Sequence, residues 1–220
     1  MNELLDATWL SVRIASVATL LCLVLGVPLA WGMARRKFAG YGLVEALILL
    51  PVVLPPTVVG YVLLILFGAQ GPFGQWLGGY SIVFRFEGAV LAALVVAMPM
   101  LYLPTKAAFA SIDHELEDIA KLMGASRWQT FWHVSIPLAR RGLFSGVVLA
   151  FARAFGEFGA TVMVFGWQPG RLTLPVSVYA RFSENNQPDG NMAVWPAVVV
   201  MSTASLAMVL VYNKLSAKRD

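Results

Sequence analysis

Uninterrupted apolar stretches constrain this chain more than any other feature. A helix needs about 20 mainly apolar residues to cross a hydrocarbon core of roughly 30 Å. Five stretches meet that length, at about 9–33, 44–67, 88–109, 143–165 and 193–212. In lipid every backbone N–H and C=O must be satisfied within the segment, so such stretches fold as helices. The expectation is an all-α polytopic membrane protein, one transmembrane domain over residues 1–220. Only 13% of residues are charged, about half the share usual in soluble domains. The net charge of +4 is dispersed between apolar runs, which fits loops at a lipid surface and argues against nucleic acid as a partner. Cys22 is the lone cysteine, so neither an internal disulfide nor a cysteine metal site is expected. Glu3 and Asp6 precede the first run, and no basic n-region does. The first run is therefore expected to stay in the mature protein.

Loop charge sets the orientation. Arg35, Arg36, Lys37, Lys106, Lys121, Arg127, Arg140, Arg141, Lys214, Lys218 and Arg219 fall on one side. Only Arg85, Arg171 and Arg181 fall on the other. The expected placement is N-terminus outside and C-terminus inside, with the loop at about 112–137 in the cytoplasm. Two outside loops follow, Gly68 to Phe86 and Gly166 to Met192. The second carries turn signals at Pro169-Gly170 and from Asn185 to Gly190. Both loops are candidates for contact with an external partner.

The loop at 112–137 is the longest polar-bearing interruption. Leu116, Ile119, Ala120 and Met123 recur at helical spacing and share one face. Glu117, Asp118 and Lys121 are expected on the wetter side. Gly124 suits a left-handed helix end. Ser126 can cap a second short helix, with Trp128, Phe131 and Trp132 on one face and Pro137 closing the unit. Read locally, this is either a docking knob or an amphipathic linker lying on the membrane surface.

Two of the apolar runs carry unusual residues. The second contains Pro51, Pro55 and Pro56, which remove backbone donors and crowd the preceding turn. It is expected to be broken, with the break facing protein or a wet cavity and the Thr57 hydroxyl available to a ligand. The fourth contains Arg153 and Glu157, four residues apart and so on one helix face. Intramembrane charge rarely points at lipid. The two residues read as a mutual ion pair, or as lining for a route with Arg153 tolerating an anion. Gly156 and Gly159 are placed to permit close helix approach. His114 and His133 have no metal-ligand spacing around them, no phosphate-binding loop is present, and no catalytic constellation is evident. Neither an enzymatic activity nor a cofactor is expected in this chain.

The loop resembles the signature loop of ABC-importer permeases, which reads EAA, three residues, G, nine residues, then I-x-L-P. Asp118-Ile119-Ala120 stands for the EAA, Gly124 for the glycine, and Val134-Ser135-Ile136-Pro137 for the last element. Asp118 and Ile119 depart mildly from the pattern. Leu54 to Leu64, Gly71-Pro72-Phe73-Gly74, Ala152 to Thr161 and the Leu174-Pro175 placement are similar to the molybdate branch of that family, with tungstate and sulfate or thiosulfate permeases close by. The resemblance covers nearly the whole chain. It implies a type I ABC importer permease fold and an inner-membrane importer. The importer would hold two copies of this chain, two cytoplasmic ATPase subunits that bind ATP and magnesium, and an extracytoplasmic molybdate-binding protein. Glu117, Asp118, Ile119, Ala120, Gly124 and Pro137 would couple to the ATPase. Pro55, Pro56, Thr57, Arg153 and Glu157 would shape the pathway. A membrane scaffold without transport is the reading from another class.

Overall fold

The computed structural model describes residues 2–168, 170–185 and 194–216. Among them there are helices and no strands. The first, α1 (Asn2–Arg35), is longer at both ends than the apolar run from which it was expected. The second run is split, as its prolines require. It forms α2 (Tyr41–Val53) and α3 (Pro56–Phe67). Only Pro55 lies in the break. Pro56 opens α3, where a missing N–H costs nothing, and Pro51 sits inside α2. A short α4 (Pro72–Trp76) leads to α5 (Phe86–Ala110). The loop that follows carries α6 (His114–Leu122) and α7 (Arg127–Thr130).

From α7 the chain does not stop at Pro137 as expected. It runs through a π-helical turn (Phe131–Ser135) straight into α8 (Ile136–Phe155). Pro137 lies in the first turn of α8, where its ring is compatible with a helix start. The fourth run is also not one helix. It halts at Gly156 and resumes as α9 (Gly159–Phe165). α10 (Leu174–Asn185) and α11 (Trp195–Ser216) complete the described chain. The Asn185 to Gly190 turn signals lie almost wholly outside the described residues, as do Pro169, Lys218 and Arg219. Five helical stretches are long and apolar enough to cross a membrane: Glu3–Arg35, Pro56–Trp76, Phe86–Ala110, Arg127–Phe155 and Trp195–Lys214.

α5 is the centre of the bundle, flanked by α1 and α8. Its contacts are built on small residues. Ala15, Ala18 and Ala30 of α1 and Ala89, Ala93 and Ala97 of α5 are all fully buried. Such residues let backbones approach in lipid, where apolar transfer gives little drive for helices to associate. α8 joins through Gly146, where a Cβ would sit 2.9 Å from the Leu101 carbonyl. By contrast α2 buries no residue. It is tied to α5 by an ion pair between Glu45 and Lys106, whose ammonium also lies over the rings of Tyr41 and Tyr102.

Candidate functional site

Two regions hold the residues singled out by the sequence. The first is the pair of helix breaks. α3 and α9 meet at their starts. A Cβ on Gly159 would lie 3.0 Å from Pro56 Cβ and 3.2 Å from the Thr57 amide nitrogen. A Cβ on Gly60 would lie 2.8 Å from the Ala160 backbone. Gly159 therefore mediates close approach as expected, whereas Gly156 meets only its own helix. Thr57 and Pro55 are exposed beside this contact. Arg153 and Glu157 do form an ion pair, Nη1 to Oε2 at 2.5 Å. They do not share a helix face, because Glu157 stands beyond the end of α8, in the break. Its other oxygen accepts the Ala160 N–H at 2.7 Å and so caps α9. The carboxylate is buried, while the guanidinium is 29% exposed. The break thus holds a charge pair with one accessible end and no excess of charge.

The second region is the loop. α6 ends in a Schellman motif at Gly124, whose φ is +91°. The Ala125 N–H donates to the Ala120 carbonyl and the Gly124 N–H to that of Lys121. Ser126 caps α7 in a full capping box with Gln129. Both helix ends are as the sequence predicts. Trp128, Phe131 and Trp132 pack ring on ring, with centroids 5.3–5.5 Å apart.

One residue of α6 departs from expectation: Asp118 and Lys121 are exposed as assigned, but Glu117 is not. Glu117, assigned to the wetter side, is the one buried residue of α6. Its Oε1 accepts from Arg35 Nη2 at 2.8 Å, Arg35 Nε at 3.2 Å and Ser135 Oγ at 2.6 Å. The apolar face points outward, with Leu122 87% and Met123 84% exposed and Leu116, Ile119, Trp128 and Trp132 exposed beside them. Glu117 is buried because of the arginine. A guanidinium at the end of α1 needs a carboxylate partner, and Glu117 offers one on the side facing α1. Asp118 stays exposed and pairs with Lys121 at 2.7 Å. The hydrogen bond and charge of that ammonium hold its carboxyl below the ordinary carboxylate range. His114 lies against Arg35 and His133 against the Gln129 carbonyl. Among the described residues no group of three or more His, Cys, Asp or Glu is placed to hold a metal ion.

Reading the sequence missed Arg35 and Lys106 as structural ions and counted both only as loop charge. No local signal marks either partner, since Glu117 and Glu45 are far away along the chain.

Residues 26–220 match the family described as binding-protein-dependent transport system inner membrane component. The chain belongs to that family. This permease is 40% identical over 179 residues to the molybdenum transport system permease protein ModB of Escherichia coli K12, covering 79% of this chain and 78% of that protein. It is 35% identical over 208 residues to the protein of the same name from Haemophilus influenzae, covering 93% and 91%. Among solved structures, the permease fold matches an inward-facing methionine ABC transporter with TM-score 0.71 at 18% identity, over 99% of this chain and 96% of that one. It also matches a bacterial alginate importer with TM-score 0.69 at 16% identity, over 100% and 80%. The fold is that of type I ABC importer permeases. Family membership makes the permease the membrane component of a system that also uses a substrate-binding protein and an ATPase.

Proposed function

We propose that this permease carries molybdate inward across the cytoplasmic membrane by alternating access. The observation that carries the reading is kinship to molybdenum permeases across most of the chain. Two copies related by a two-fold axis would place the path between them. The N-terminus would lie outside, the C-terminus inside, and the loop in the cytoplasm, as the distribution of Lys and Arg favours. Two ATPase subunits, which bind ATP and magnesium, would seat on the exposed apolar face of α6 and the Trp128–Trp132 surface. A binding protein would deliver the oxyanion to the opposite mouth.

The residues of the helix breaks suit a dianion that must be released. A lone buried cation would hold it tightly. Arg153 is instead neutralised by Glu157 and keeps one partly accessible edge. Pro56 and Thr57 line the contact with α9, and Pro55 and the Thr57 hydroxyl-bearing side chain stand exposed beside it. In the loop, Asp118, Ile119, Ala120 and Gly124 shape the docking surface, and Pro137 starts the helix that leads away from it.

The test is labelled molybdate uptake in cells where this system is the sole importer, competed by excess tungstate and, separately, by excess sulfate. ATP-dependent uptake blocked by tungstate and not by sulfate is the expected result. Block by sulfate at similar concentration would move the chain to the sulfate branch. No uptake with all subunits present would leave a scaffold role.

A further inference from the structure

We propose that Arg35 is a positioning residue for coupling, the tie through which movement of the loop reaches the first span. The inference rests on the coupling reading of the loop and adds a route that the reading does not contain. α6 presents its apolar residues outward and buries a single residue, Glu117. The Glu117 carboxylate is therefore the one buried, charge-paired side chain by which α6 is held to a span. The carboxylate is held by Arg35, at the last turn of α1, with two nitrogen donors on one oxygen. The side chains of both residues are nearly closed to solvent, 8% and 5% exposed.

The same guanidinium reaches further. Its Nη1 donates to the Ile112 carbonyl, at the exit of α5, at 3.3 Å, and lies against the His114 ring. Ser135, in the π-helical turn, donates to the same Glu117 oxygen. One turn earlier on α1, Trp31 packs against Phe131 with centroids 4.9 Å apart. Phe131 in turn stacks on Trp128 and touches Phe109. The loop, the end of α5 and the start of the fourth span thus converge on one turn of α1.

An apolar anchor would let α6 slide, because burial is non-directional. A charged contact with fixed donor directions does not, and it transmits displacement as well as holding position. The π-helical turn beside it is a local departure from α geometry, a form that recurs at functional sites. With Arg35 engaged, α1 and the π turn move with the loop. Without it, the loop can tilt on its own while the spans stay where they are.

The experiment uses the complete complex, permease with ATPase and binding protein, in lipid vesicles. It reads molybdate transported per ATP hydrolysed, along with the amount of ATPase bound to the permease. The variants are R35Q, R35K and the exchange R35E/E117R. R35Q is expected to keep bound, hydrolysing ATPase while the transport ratio falls about tenfold, the size of a typical coupling between sites. The exchange is expected to restore most of the ratio, and R35K, with its point charge in place of a fork, only part of it. A purely structural anchor would lower assembly, hydrolysis and uptake together and leave the ratio unchanged, which overturns the proposal. So does an exchange variant no better than R35Q. Should R35Q fail to assemble, the other two decide. A near-normal ratio in the exchange with a reduced one in R35K supports the tie, and normal ratios in both overturn it. A parent complex that hydrolyses ATP without moving molybdate removes the functional reading itself. A parent that transports, with R35Q at the parent ratio, removes only the tie.

Discussion

Glu117 and Glu157 are both buried carboxylates, and each is held by one arginine and one further donor. They differ in where the arginine comes from. Arg153 lies four residues before Glu157, and the second donor, the Ala160 amide, lies three residues after it. Everything needed for that site is carried by one short stretch of chain. Arg35 comes from another span, 82 residues away from Glu117, and Ser135 from the far side of the loop. The first arrangement braces a break within one segment. The second fastens separate segments to each other. A local pair can move as a unit with its helix, whereas a long-range pair makes two parts move together.

The comparison can be broken most sharply at Glu157. Arg153→Ala leaves a buried carboxylate without its cation, and removing one partner of such a pair costs on the order of 3 kcal/mol or more. The expected result is low yield and early thermal aggregation in detergent. The double change Arg153→Ala/Glu157→Gln, which removes both charges and keeps an oxygen for the Ala160 amide, recovers most of the stability. Equal behaviour of the single and double variants would show that the charge pair is not what braces the break.

A smaller effect is expected at the other carboxylate. Ser135→Ala deletes one donor to Glu117 and leaves Arg35 in place. A hydrogen bond to a charged acceptor contributes roughly 1.5–3 kcal/mol, and the remaining arginine bonds should keep the loss near the low end. Thermal melting of the purified permease would show a modest drop with the loop still able to retain the ATPase. A loss as large as that of Arg153→Ala would mean that the hydroxyl, and not the arginine, holds α6.

The exposed pair next to it supplies the smallest effect. Asp118 and Lys121 are in contact at 2.7 Å, but water competes for both groups. Lys121→Ala should leave the melting temperature unchanged at neutral pH. Because the Asp118 carboxyl titrates below its ordinary range when Lys121 is present, any stabilisation from the pair is in place above that range and fades as the pH falls through the lowered value. Melting curves of parent and variant between neutral pH and about pH 3 should therefore run together. A gap at neutral pH that closes on acidification would reveal a stronger pair than the geometry supports.

Much of the architecture is legible because a bilayer admits so few solutions. Residue type and run length determine the helices, the proline pair at 55–56 determines the break in the second run, and Gly124 with Ser126-to-Gln129 determines both loop caps. These features follow from backbone chemistry within a few residues, and the sequence contains all of it. The break at Gly156–Phe158 was missed because glycines at 156 and 159 suit a close helix contact as well as a helix end. α8 ends there while Gly159 lets α9 come against Pro56 and Thr57, and that contact exists only once two distant segments have met.

The burial of Glu117 has the same origin. Periodicity identifies which residues share a face, and it did so correctly for Leu116, Ile119 and Met123. It cannot say which face turns inward. The arginine at the end of α1 draws Glu117 inward, because a guanidinium nearly closed to solvent needs a carboxylate partner. By itself the sequence determined the apolar spans, the break at Pro55, the caps at Gly124 and Ser126, and the family. The tertiary structure decided which residue of the loop is buried and what it pairs with, since that depends on a charge contributed from far along the chain.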